Sequence, residues 1–392
     1  MTTRTDAAGT SSYTYDTADR LKTITDAATA EVLTLGYNTL SQPSQITYGA
    51  NANTRSFGYD HLHRLTTDTL KTSAGSTIAS IGYGYDPNNN ETSKTTTGFA
   101  GASTNTYTYD YADRLASWTN GTGTSTYAYD NSGNRTQSGT QTFSYNARNQ
   151  LTTGAGSTYT YTARDTLASV VTGGTTVTTT NDAYGQTITQ GGQTYTYDAL
   201  GRIVTSSGTT GRTFTYTGTG NTLAGDGTTT YSRDPAGGLV GITTGTTGVL
   251  AWTDQHTDLV GQFTPTSSAL TGSATYGPLG TVVATAGMVG NLGYQSGFTE
   301  PASGRVNMGA RWYNPATGQF DNRDAAGNSP TPNPANADRY TYANDNPLTN
   351  IDPNGNRATD TNADGSIYFV SANPDGGTDY TWARSRQVPA TR

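Results

Sequence analysis

One phrase recurs along most of this chain: a Tyr-x-Tyr-Asp, a turn residue, then Arg and an aliphatic. An array of repeats constrains the fold more than any local propensity, because each unit buries its apolar face only against its neighbours. In TYTYDYADRL the slots are filled by Tyr107, Tyr109, Asp110, Asp113, Arg114 and Leu115, and in TYTYDALGRI by Tyr195, Tyr197, Asp198, Gly201, Arg202 and Ile203. The Asp slot falls at Asp16, Asn38, Asp60, Asp86, Asp110, Asp130, Asn146, Thr162, Asp182, Asp198, Thr217 and Asp234, in steps of about 16 to 26 residues. Such a step holds two short strands and two turns, so each unit reads as a β-hairpin.

The residue types fit that reading. Two tyrosines two positions apart project from one face of a strand, and the Thr, Gly or Ala between them faces the other way. Three residues after the slot stand Asp19, His63, Asp113, Gly133, Asn149, Gly185, Gly201, Gly220 and Gly237, mostly types that tolerate positive φ at a tight turn. The slot Asp can accept backbone N–H bonds across that turn, and Arg20, Arg64, Arg114 and Arg202 are placed to reach an Asp of their own or a neighbouring unit. All of these residues read as scaffold rather than as a site.

With 32% hydrophobic and 13% charged residues and 48 glycines, the chain is too poor in aliphatics for an α/β enzyme core. Periodic Tyr and abundant Thr argue against disorder and for strands, and no stretch keeps a helical period. The expected fold class is all-β: a spiralling sheet of hairpin repeats, of undetermined hand, forming a shell or part of one.

A net charge of −7 with 22 basic residues and no basic cluster speaks against nucleic-acid binding. Zero cysteines exclude disulfides and thiolate chemistry, and His61, His63 and His256 are too few for a histidine metal centre. No cofactor is expected. No apolar run approaches the roughly 20 residues of a membrane span, and no secretion signal follows Met1.

After about residue 240 the phrase stops. AWTDQHTDLVGQFT, Ala251 to Thr264, reads as strand, turn, strand, and TYGPLG as a further turn. GARWYNPATGQFDNRD and DRYTYANDNPLTNIDPNGN then concentrate Arg311, Arg323, Arg339, Asp321, Asp324, Asp338, Asp345 and Asp352. Charges so crowded in a charge-poor chain point to a buried polar network. The expected organisation is a repeat array over 1–240, a closing domain over 241–356, and a short variable segment over 357–392.

At these motifs the chain resembles the Rhs/YD-repeat family with its C-terminal Rhs-repeat-associated core domain. The resemblance runs from about Tyr13 to about Asn356 and is carried best by Arg-Trp-Tyr-Asn-Pro-Ala-Thr-Gly-Gln-Phe, Asn-Arg-Asp and Ile-Asp-Pro-Asn-Gly. It implies a β-shell around a C-terminal effector, plugged by the core domain. It also implies an aspartyl-type self-cleavage with Asp324 and Asp352 as the carboxylate pair and Arg323 or Arg311 as the cation that positions them. The cut would fall between Asn356 and Arg357. Two close carboxyls cannot both ionise cheaply, so one can act as acid and the other as base. The chain departs from the family pattern at Ala325, where Pro is usual, and at Asn356, where Leu is usual.

The resemblance further implies a bacterial protein that is secreted or displayed at the cell surface, with an immunity protein or a delivery system as partner. A different class of reading stays open: exposed Tyr, Thr, Gly and Asn also suit an adhesive module that binds glycans. In the last segment Asp360, Asn362 and Asp364 match the opening of a calcium loop, but Ser371 stands where its closing Glu would be.

Overall fold

The computed structural model describes residues 1–208, 211–325 and 338–356, and, as backbone strands alone, 359–360, 368–372 and 378–382. The chain is an antiparallel meander in which every strand pairs with its neighbour in sequence. A first sheet of fourteen strands covers Thr3–Thr142, a second of nine covers Ser144–Thr213, and a third of eight covers Thr215–Ala286. A smaller sheet, Phe298–Phe320, follows. Among the described residues, helical structure is confined to single 3-10 turns such as Tyr294–Ser296 and Ala343–Asp345. Among the described residues no helix is long and apolar enough to cross a membrane.

The repeat phrase is a turn program. At Asp60, Oδ1 accepts the N–H of Leu62 and Arg64, both at 2.9 Å, while Arg64 Nε donates to Oδ2 at 2.7 Å. His63 closes the turn with φ of 68°. The same geometry recurs at Asp16, Asp110 and Asp198, each paired with the Arg four residues on. Of the expected left-handed residues, Gly220 is the exception. The turn after Thr217 is one residue longer, its N–H bonding Thr222 O, and Gly218 takes the positive φ of 62°.

Successive units are joined by the second tyrosine of the phrase. Tyr37 donates to Leu21 O at 2.6 Å, Tyr59 to Pro43 O at 2.7 Å, Tyr129 to Leu115 O at 2.8 Å and Tyr216 to Ile203 O at 2.9 Å. The turn arginine of one unit lies over that ring of the next: Arg20 over Tyr37 at 4.6 Å, Arg114 over Tyr129 at 4.3 Å. Such contacts between exposed or half-buried groups contribute about 0.5–1 kcal/mol each. Tyr59→Phe is expected to lower stability by about 1 kcal/mol, the typical net contribution of one hydrogen bond, as read from a denaturant midpoint.

The turn outlives the phrase. Asp254 bonds Asp258, Thr257 has φ of 65°, and Gly277 bonds Thr281, with Tyr276 donating to Leu259 O as the earlier tyrosines do. No break falls at 240, because one strand runs Leu239–Thr244. Hairpin geometry therefore continues past the last copy of the phrase, to Ala286.

The third sheet returns onto the first. Arg4 donates to Asp234 O at 2.5 Å, Thr243 to Ala28 O at 2.6 Å and Asn53 to Ser267 O at 2.8 Å. Tyr13, Ile24, Tyr48, Leu70, Ile81 and Tyr83 of the first sheet form one core with Val240, Leu250, Trp252, Val260 and Phe263. The intervening Thr14 and Thr108 are exposed and bond across strands. Within this face-to-face core Arg55 and Asp68 are bound through two nitrogens at 2.7 and 2.5 Å, and Trp252 Nε1 caps Asp68 at 2.9 Å.

Candidate functional site

The closing segment is built on aromatic packing. Tyr294, Met308, Tyr313, Phe320 and Tyr342 form a separate buried cluster, with Tyr313 and Tyr342 centroids 4.5 Å apart. Strand Arg311–Asn314 runs through it, and Arg311 lies over the Phe320 ring at 3.6 Å.

Arg311 gathers the site. Its Nη2 lies 3.2 Å from Asp324 Oδ2 and 3.2 Å from Asp352 Oδ2, which holds the two carboxylate oxygens within twice that distance of each other. Nη1 donates to Arg339 O at 2.9 Å and Nε donates to Gly355 O. All three side chains are buried. Burial pulls the Arg311 pKa below the ordinary arginine value, and the charges of Asp324 and Asp352 oppose that pull. A planar guanidinium can serve four acceptors at once in a way that an ammonium cannot.

Asp352 also reaches toward the chain end. Its Oδ1 accepts the N–H of Asn356 at 3.1 Å. The peptide unit between Gly355 and Asn356 is thus clamped at both ends, its carbonyl by Arg311 and its N–H by Asp352. Gly355 has φ of 68°, and a Cβ there would collide with the Met308 carbonyl. Gly355→Ala should therefore displace the segment from Arg311 at a cost of several kcal/mol, seen as loss of amide protection at Asn356.

Of the residues singled out from sequence, Arg311, Asp324, Asp352 and Asn356 are brought together and Arg323 is not. Arg323 is adjacent to Asp324 but pairs instead with Asp165 Oδ2 at 2.9 Å, half exposed, on a repeat turn. Of the two arginines expected to position the carboxylates, Arg311 is the one that lies against them. Arg357, Asn362 and Asp364 lie outside the described residues, and Asp360 is described only as part of the backbone strand Thr359–Asp360. Among the described residues no group of three or more acidic or histidine side chains is placed to hold a metal.

The crowded acids do not form one network. Asp321 pairs with Arg305 at 2.6 Å. Asp338 is buried beside Tyr340, and desolvation raises its pKa to about 6. Burial also pushes Asp345 well above the carboxylate range.

A second polar cluster was not read from sequence. Lys94 pairs with Asp254, His256 Nδ1 lies 3.2 Å from Asp258 Oδ1, and His256 Nε2 lies 3.2 Å from Asn350 O. The cluster ties the third sheet to the strand Asn350–Ile351, immediately before Asp352. The only local signal was the pair of aspartates flanking His256; Lys94 lies 160 residues away in sequence.

This all-β fold of antiparallel hairpins is that of a YD-repeat β-shell section. Residues 51–348 match the teneurin YD-shell, and the chain belongs to that family. Similar solved structures include TcdB2-TccC3 with Cdc42, at 17% identity and a TM-score of 0.65, covering 90% of this chain and 21% of that one. TcdB2-TccC3 without its hypervariable C-terminal region gives 18% identity, a TM-score of 0.65, and 90% and 21% coverage. The Photorhabdus luminescens Tc holotoxin pore gives 17%, 0.65, and 90% and 20%. The chain thus spans about a fifth of the length of these structures. No curated protein sequence matches it.

Proposed function

We propose that this chain is the closing section of a secreted toxin shell that encloses a C-terminal effector polypeptide and frees it by one self-cleavage after Asn356. The carrying observation is that a single buried arginine holds two distant aspartates beside the peptide unit that precedes the cut. Residues 241–356 act in this reading as an Rhs-repeat-associated core. The likeness to TcdB2-TccC3 assemblies supports the shell role.

One carboxyl of the Asp324/Asp352 pair takes a proton from water as the oxygen attacks the Asn356 carbonyl carbon. The other gives its proton to the Arg357 nitrogen as the C–N bond breaks, leaving an Asn356 carboxylate and a free Arg357 amine. Arg311 keeps the pair from repelling apart, and tethering supplies the substrate at high effective concentration. Arg323, paired with Asp165, has no part in the step.

The test is the intact mass of the purified chain beside Asp324→Asn and Asp352→Asn. The parent should lose residues 357–392, and each variant should cleave slower by on the order of 10²–10⁴-fold. A folded parent that stays whole, or variants cut at the parental rate, overturns the reading.

A further inference from the structure

The second tyrosine of the phrase serves one purpose in unit after unit: its hydroxyl donates to the carbonyl that opens the preceding return strand. In the unit Tyr231-Ser232-Arg233-Asp234 that slot holds Arg233. The guanidinium makes the same bond, Nη2 to Leu223 O at 3.0 Å and Nε to the same oxygen at 3.3 Å. A neutral donor suffices for this bond elsewhere, so the bond itself does not explain a charge.

That charge is badly placed for a scaffold. Arg233 is 6% exposed, and among the described residues its only other acceptor is Gly237 O at 3.5 Å. Among the described residues no carboxylate forms an ion pair with it. Asp234, its neighbour, gives Oδ1 to the N–H groups of Ala236 and Gly238. Burial, helped by the nearby Arg4 charge, draws the Arg233 pKa down to about 10, although Tyr231, Asp234 and Asp6 oppose the shift. A buried cation without an ion-pair partner is costly unless something meets it.

Arg233 lines a cavity of about 420 Å³ between the repeat turns and the Pro353–Asn354 segment. That volume is in the range of small-molecule sites. Phe214, Leu223 and Phe298 give it an apolar wall, and none of its lining residues is acidic. Gln295 lines it too. One end of the Gln295 amide meets His256 Nε2 at 3.1 Å, and the other is buried without a protein partner. Turned so that its oxygen faces His256, that amide presents its N–H2 as a second donor.

We infer that this cavity is a binding site for a small monocarboxylate with an aromatic or branched apolar body, its carboxylate held by Arg233 and Gln295. The site is separate from the carboxylate pair and does not depend on cleavage.

Arg233→Tyr is the informative variant because it restores the residue that the repeat itself uses at this slot, and Arg233→Gln is the second, keeping a neutral donor. Each is titrated by calorimetry with phenylacetate and with its neutral amide, after its unfolding midpoint has been compared with the parent's. The parent should bind the acid about tenfold or more tighter than the amide, as expected for charge-assisted hydrogen bonds in a buried site. Both variants should lose that preference. No acid binding by the parent, or a folded variant that keeps the preference, overturns the inference.

Discussion

Arg311→Met will detach the closing segment from the shell wall. The substitution preserves an apolar stem over Phe320 but takes the Arg311 charge away from the buried Asp324 and Asp352, and takes its donors away from the Gly355 and Arg339 carbonyls. Breaking a buried pair from one side costs about 3–5 kcal/mol. Thermal unfolding should show the loss, and hydrogen exchange should place it in residues 338–356 rather than in the repeat turns, whose Asp–Arg pairs are untouched. Arg311→Lys should recover only part of it, since one ammonium cannot reach all four acceptors. Adding Asp324→Asn and Asp352→Asn to Arg311→Met should recover more, because the stranded charges are then gone. A loss spread evenly over the array would mean that Arg311 is not the organising group.

Stability should be higher near pH 5 than near pH 8. Burial raises Glu91 to about 7 and Asp338 to about 6, and it also raises Asp258. For His256 burial works the other way, but the Asp258 carboxylate outweighs it and lifts the pKa. A raised pKa gives stability that is full below the unfolded value and lost as pH rises through the folded one. All four groups therefore act in the same direction. At about 1.4 kcal/mol per unit, Glu91 alone accounts for about 3 kcal/mol between its ordinary value and neutrality. On the acid side the turn aspartates Asp60, Asp110 and Asp198 are lowered: burial opposes this, and the turn N–H groups and arginines outweigh it, so their contribution is lost only as pH falls below the ordinary carboxylate range. Urea midpoints across pH 4–8 should fall toward the alkaline end, and Glu91→Gln should flatten the slope, since an amide keeps the acceptor for Gln255 Nε2. A midpoint that rises with pH would show that these groups are not buried as described.

The repeat was legible because its chemistry is local. An Asp that accepts two N–H groups within four residues, a positive-φ position and an Arg that returns to the same Asp are all written in one stretch of sequence. The same locality explains why the hairpin geometry runs on beyond the last copy of the phrase. At Asp254 the turn persists while Ala251 and Thr253 stand in the tyrosine slots, so the backbone repeats after the side-chain phrase has gone.

At the candidate site sequence proximity alone did not separate Arg323 from Arg311. Arg323 adjoins Asp324, but adjacent side chains of an extended segment diverge, and its partner lies 158 residues earlier. Arg311 reaches both aspartates from a neighbouring strand. Lys94 with Asp254, His256 with Asn350, and Arg233 in its cavity depend on the third sheet lying over the first or on the closing segment, which local patterns do not specify.

The most direct test is the mass of the shell fragment when the chain is synthesised cell-free in water enriched in heavy oxygen. Hydrolysis by the Asp324/Asp352 pair predicts a fragment ending at Asn356 with one heavy oxygen in its new carboxylate, formed at a rate independent of chain concentration. A fragment lighter by one water would mark cyclisation of the Asn356 side chain instead. That outcome, like a folded chain that stays intact, would contradict the account.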